Sequence, residues 1–286
     1  MDFFITAIIL GLCLSVMGLG IFMSMKIFNI PDITTDGSYT LGAVVTAILL
    51  INHVSFFLIV PTIFIVGAIS GCITAFIHTK FKIDALLAGI LTMTALYSIN
   101  LIILGRSNQP LINTQNIFSF RIFENQVYNS LAFVLIIVLI LISLLTFILK
   151  TDFGIAMRAT GNNSKMVRAL GVDDDKMKIF GLAIANSLTA FAGFLVCQYQ
   201  FFADINMGIG IVITGLGSVL IADALQKLFK MQSIIWQIIF VVLSSILFQL
   251  VLAFTLSLGI NPNLLKLITA SFVLVIVGIT RFRKTA

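Results

Sequence analysis

Nine predominantly apolar stretches, separated by short polar ones, limit what this chain can become. They are Phe3 to Met25, Ser38 to Ile51, Phe56 to Ile77, Asp84 to Leu104, Tyr128 to Leu149, Met177 to Gln200, Met207 to Leu225, Ser233 to Leu252 and Leu264 to Ile279. A helix needs about 20 apolar residues to cross the hydrocarbon core of a bilayer. The second stretch is too short to do so alone, so it is expected either to extend back through the Pro31 region or to be broken. Over 286 residues, 60% hydrophobic and 10% charged is a balance that a soluble domain does not carry. The expected fold is all-α, a polytopic integral membrane bundle of about nine transmembrane helices, within a range of about 8 to 10, in a single domain over residues 1–286. No internal repeat or low-complexity tract divides it.

Charge is dense in one place only, the polar loop 150–178, reading KTDFGIAMRATGNNSKMVRALGVDDDKMK. Residues Thr151 to Thr160 can form a first short helix, with Gly161 expected to break it. Asn162 or Asn163 can cap a second helix over Ser164 to Leu170, because an Asn side-chain oxygen accepts from the free amides of a first turn. Gly171 stands where a helix end favours positive φ, and Asp173 to Asp175 stand at the start of the next apolar helix, where the helix dipole favours negative charge. A short, capped, basic helix between two spans is a handle that a soluble partner can grip.

The run GIAMRATGNN followed by RALG resembles the cytoplasmic coupling loop of ABC-transporter permeases, in the superfamily of the branched-chain amino acid and ribose importers. The matching positions are Gly154, Arg158, Ala159, Gly161, Asn162, Arg168, Ala169, Leu170 and Gly171, with Ser164 opening the helix. The family pattern has Pro after the Asn, where this chain has Asn163 and Ser164. The resemblance implies that the loop docks into a groove of a cytoplasmic ABC ATPase. That subunit would bind ATP and Mg, leaving no cofactor in this chain.

With that loop inside, the cations fall in one direction. Of the 17 Lys and Arg, Arg106, Arg121 and Lys266 are the ones left outside. Such a bias is the positive-inside rule, and it puts the N-terminus outside and the C-terminus inside a bacterial plasma membrane. The formal charge of +6 is then explained by anionic lipid, and no nucleic acid partner is called for. The N-terminus is not expected to be a cleavable signal, since only Asp2 precedes a run long enough to span. Cys13, Cys72 and Cys197 lie inside apolar runs without ligand spacing, and His53 and His78 are far apart, so no metal site is expected.

The segment NIPDITTDGSYTLG, Asn29 to Gly42, is the second informative stretch. Pro31 removes a donor and Asp36-Gly37 signals a turn, so Asp32 and Asp36 read as capping and turn residues ahead of substrate contacts. Together with Leu86 to Asn108 it resembles the branch of the superfamily served by tryptophan-type or tyrosine-type binding lipoproteins. That implies an extracytoplasmic binding protein, docking on the external loop 105–127, and an amino acid substrate, aromatic ones first.

Polar side chains inside the runs must pair or face a cavity. Thr94, Tyr97, Ser98 and Leu101 share one face of the fourth run with Asn100 at its edge, and Asn186 and Thr189 share a stripe with Ala190, Gly193, Cys197 and Gln200. Thr94, Tyr97, Ser98, Asn100, Asn186 and Thr189 are therefore the candidates for the translocation path. Gly67 and Gly71, and Gly208, Gly210, Gly215 and Gly217, suit close helix packing or a broken helix.

No P-loop, H-E-x-x-H or credible Ser/His/Asp arrangement occurs, so the chain is read as a transporter's pore-forming subunit rather than an enzyme. The alternative is an ion-coupled secondary transporter working without an ATPase. All 11 Asp and Glu are expected at helix ends or in loops, which leaves no midplane carboxylate for a coupling proton. The expected function is thus an ATP-driven importer permease working by alternating access, as a homodimer or with a homologous partner.

Overall fold

The computed structural model describes residues 2–112, 114, 116–119, 125–231, 233–261 and 264–285. Helix α1 covers Asp2–Ile21 and continues as a wider π-helical turn over Phe22–Ile27. The following helices are α2 Thr34–Ile51, α3 Phe56–Lys80, α4 Ala85–Leu104 and α5 Gln126–Lys150. Then come α6 Asp152–Asn162, α7 Ser164–Ala169, α8 Asp174–Gln200, α9 Ile211–Phe229, α10 Ile234–Ser257 and α11 Leu265–Thr285. Among the described residues, eight helical segments are long and apolar enough to cross a membrane, and α11 is a further helix of 21 residues.

Burial separates inner from outer helices. The spanning windows of α8 and α2 are 83% and 78% buried, against 22% for α5. α8 is the central post, packed against α1, α2 and α3. In lipid there is little hydrophobic drive between helices, so close van der Waals approach decides which of them pack. Gly42 of α2 lies on the backbone carbonyl of Ala190, and Gly71 of α3 lies on that of Leu182, with no room for a Cβ at either site. Gly67 meets Asn186 in the same way, so the expected small-residue face of the third run is a packing face against α8.

The second stretch resolves as one continuous helix, α2, extended back to Thr34 but not through Pro31. α1 ends at Ile27, and residues 28–33 run unwound yet stay inside the bundle, with Phe28, Ile30 and Asp32 buried. Asp32 then starts α2 four residues earlier than the apolar run suggested, its Oδ1 accepting from the Thr34 amide at 2.9 Å. Ser38 meets Asn186 and Gly42 meets Ala190. Asn186 lies 12 residues into α8, so α2 opens about 18 Å along that helix rather than at its end. The seventh stretch keeps its expected length of 19 residues but is shifted four residues along the chain. α9 opens at Ile211, after a turn 205–210 that runs inward from the strand β2, Phe202–Asp204.

At the β2 end, Asn108–Pro110 forms a strand, β1, antiparallel to β2, with Asn108 opposite Asp204. The described part of the loop 105–127 is therefore not a plain connection. Asn116 and the Ile117 amide bond Gln198 at the end of α8, and Asn129 of α5 donates to the Phe118 carbonyl. Arg121 and Glu124 lie outside the described residues.

Candidate functional site

The polar loop builds two helices of different character. Thr151 caps α6, accepting from the Gly154 amide at 3.4 Å, and Gly154 sits against the backbone of Leu149. α6 is anchored on its inner side: Met157 and Thr160 are buried, and Gly161 lies on the carbonyl of Ile27. Gly161 does not break the helix, as the sequence suggested. It stays in the last turn because its lack of a side chain lets α6 touch the end of α1, and the helix closes one residue later at Asn162.

Asn163, extended at φ −155°, makes the corner and caps α7, its Oδ1 accepting from the Met166 amide at 3.1 Å. α7 buries Val167 at 3% exposure but presents Met166 at 61% and Leu170 at 71%. Gly171, at φ +83°, turns the chain, and Asp173 caps α8 through the Lys176 amide. That amide holds the Asp173 carboxyl below its usual range. Arg168 grips Asp174 with two nitrogens, the Nη2 to Oδ2 bond measuring 2.9 Å, and Lys178 adds a third donor at 3.1 Å. The bond to Asp174 pushes the Arg168 guanidinium up. α7 is thus fastened to the first turn of the central post.

The loop positions therefore divide by role. Gly154 and Gly161 hold α6 to the bundle, and Arg158 is half-buried with its Nε on the Gly154 carbonyl. Asn162, Arg168, Ala169, Leu170 and Gly171 are exposed, and Ala159 and Ser164 are intermediate. A capped helix with two bare apolar side chains and a basic rim suits an apolar groove with acidic edges on another protein.

The six path candidates are not brought together. Asn186 and Thr189 are fully buried between helices. Asn186 donates to Asp32 and accepts from Ser38, and Thr189 bonds back to the Ala185 carbonyl. Asn100 is buried against α2, donating to the Gly37 carbonyl. Thr94, Tyr97 and Ser98, expected to point into the chain's own bundle, are exposed on its outer face. The other exposed positions of α4 are Leu, Ile and Ala, so these three make a polar spot midway along an apolar surface.

Two carboxylates matter more than the sequence suggested. Asp32 and Asp36 lie at helix ends as expected, but both are buried inside the bundle at 5% exposure. Asp36 accepts from the amides of Gly210 and Val212 at the start of α9, each at 2.9 Å. Asp223 pairs with Lys227 at 3.4 Å as the i,i+4 spacing predicts, and also with Lys26, 197 residues away. No local pattern marks such long-range partners. Met166 was legible, standing four residues before Leu170 on one face.

The chain matches, over residues 3–278, the profile of a family described as the branched-chain amino acid transport system permease component. A tyrosine transport system permease protein of Clostridioides difficile (strain R20291) is 40% identical over 260 residues, which is 91% of this chain and 85% of that protein. An uncharacterized protein of Rickettsia prowazekii (strain Madrid E) is 35% identical over 276 residues, 94% of each. Among solved structures, a chain from a metal-chelate type ABC transporter in an inward-facing conformation shares the fold at a TM-score of 0.51 and 14% identity, covering 98% of this chain and 86% of its own.

Proposed function

The chain belongs to the family of branched-chain amino acid transport permease components, and on that premise we propose how it works as the membrane subunit of an ATP-driven importer. It is a multi-pass membrane protein and not itself an enzyme; ATP hydrolysis belongs to a separate ABC subunit of the complex, and an extracytoplasmic binding protein supplies the solute. In this reading α7 is the part that the ATPase holds. The observation that carries it is the pair Met166 and Leu170, bare on a helix whose other contacts fasten it to α8. ATP and Mg are bound by the partner, and closure of its two nucleotide sites would draw the α7 helices of two permease copies together.

The two copies would meet across a two-fold axis. The polar spot Thr94, Tyr97 and Ser98 supports placing α4 on that axis, since hydroxyls facing lipid at that depth would be costly while hydroxyls facing a wet path would not. The α6–α7 end would be cytoplasmic and the β1–β2 end outside, in the plasma membrane. The substrate class proposed is an amino acid with an aromatic side chain, in line with the name of the Clostridioides difficile relative. Asn100, Asn186 and Thr189 serve as packing and hydrogen-bonding groups between helices and do not line the path.

The test is co-purification of the chain with a P-loop ATPase, together with side-specific thiol labelling of a Leu170→Cys variant in sealed vesicles. Labelling from the cytoplasmic side that the bound ATPase blocks is the expected result. Labelling from the outer side, or an ATPase that gives no protection, overturns the reading.

A further inference from the structure

α9 opens on Gly210, at φ +80°, a residue with no side chain to cap the helix it begins. The cap comes from another element. Asp36, the third residue of α2, accepts from the Gly210 amide with Oδ2 and from the Val212 amide with Oδ1. Its charge therefore lies on the first turns of two helices at once, and both favour an anion there. The approach is close, since Gly208 lies against the Asp36 carbonyl and Thr40 Oγ1 with no space for a Cβ.

What Asp36 joins is the outer ribbon to the inner post. Six residues, 205–210, separate β2 from α9, and β2 is paired with β1 at the outer end. On the other side, Asp32 and Ser38 both bond Asn186 of α8, and α8 begins at Asp174, held by Arg168 of α7. From β1–β2 to α7, the links between elements are hydrogen bonds, ion pairs or the chain itself, a contiguous network of the kind that can carry coupling.

We propose that Asp36 is a positioning residue of the transport cycle: by capping α9 from α2 it makes the outer ribbon and the α2–α8 pair move together, so that docking at the outer surface is felt at α7. This rests on the reading above of α7 as the ATPase-docking helix and of the ribbon end as the surface for the binding protein. A carboxylate is required because both oxygens accept. An Asn would set an NH2 group against one of the two amide donors.

The experiment is ATPase activity of the full complex in proteoliposomes, with and without cognate binding protein loaded with L-tyrosine. Asp36→Asn should keep basal activity near wild type while stimulation falls by about tenfold, within the range a residue on a coupling network commands. Val212→Pro removes one of the two donors at a helix first turn, where proline is tolerated, and should lose part of the same stimulation. The double variant should be no worse than Asp36→Asn, as members of one network are not additive. Wild-type stimulation in Asp36→Asn overturns the proposal, and so does parallel loss of basal and stimulated activity in both single variants, which marks a purely structural cap. A wild-type complex that the loaded binding protein does not stimulate overturns instead the reading beneath, and the proposal with it.

Discussion

Asn186 ties the central helix to the unwound entry of α2: its amide nitrogen donates to Asp32 Oδ2 across 2.7 Å, while its oxygen accepts from Ser38 at the same distance. The three groups are buried, so each relies on the others in place of water. Asn186→Leu keeps the volume and removes both halves of the bridge, leaving a buried carboxylate without one of its donors. The expected cost is about 1–3 kcal/mol, the usual penalty for leaving a buried acceptor oxygen without its donor. Thermal unfolding of the purified protein in detergent checks it; an unchanged midpoint would show the bridge to be dispensable.

Leu170 tests the handle without touching the fold. At 71% exposure its truncation to Ala should change stability by less than about 0.5 kcal/mol, as for most surface substitutions. If it fills a groove on the ATPase, the same change costs about 1–3 kcal/mol of contact, so affinity for the ATPase and coupled transport should fall roughly tenfold or more. Titration of the ATPase against wild type and Leu170→Ala distinguishes the two. Equal binding and equal uptake would remove Leu170 from the contact.

How far the sequence carried these assignments depends on the range of the contact. The cap at Asn163 and the acidic start of α8 at Asp173 were readable because each bonds an amide three residues away. The start of α2 was legible only as an extension of open reach, since the apolar pattern begins at Ser38 while the Asp32 bond to the Thr34 amide and burial on α8 bring the helix back to Thr34. Gly161 was read as a breaker because its propensity is local, whereas the reason it is Gly lies 134 residues away in the carbonyl of Ile27. The direction of the fourth run's polar stripe was illegible for the same reason: periodicity put Thr94, Tyr97 and Ser98 on one face, but only packing against α2 and α3 decides that this face looks outward.

That outward face yields a prediction on transport. Tyr97→Phe and Thr94→Val remove hydroxyls at exposed positions, so folding stability should stay within about 0.5 kcal/mol of wild type. If α4 lines the path, loss of one hydrogen bond of about 1 kcal/mol should alter uptake of L-tyrosine about fivefold, and loss of two about thirtyfold. The measurement is the KM and maximal rate of uptake in vesicles at matched expression. Uptake indistinguishable from wild type in the double variant would place this face against lipid or a partner helix.

Gly161→Ala sets two physical effects against each other. In an isolated helix the change favours α6 by about 1 kcal/mol, because alanine is the better helix former. In the bundle the new Cβ would meet the Ile27 carbonyl oxygen and the Phe28 backbone, atoms that cannot rotate away, and overpacking of that kind costs about 1–3 kcal/mol. The structure predicts that the second effect wins: α6 stays helical but lifts from the end of α1, and the handle no longer moves with the bundle. Limited proteolysis should then cut faster within 151–173, and ATPase stimulation should fall while ATPase binding at Met166 and Leu170 persists. A gain in stability with full coupling would mean that α6 adjusts to the methyl group, and that its seat on Ile27 does not transmit force.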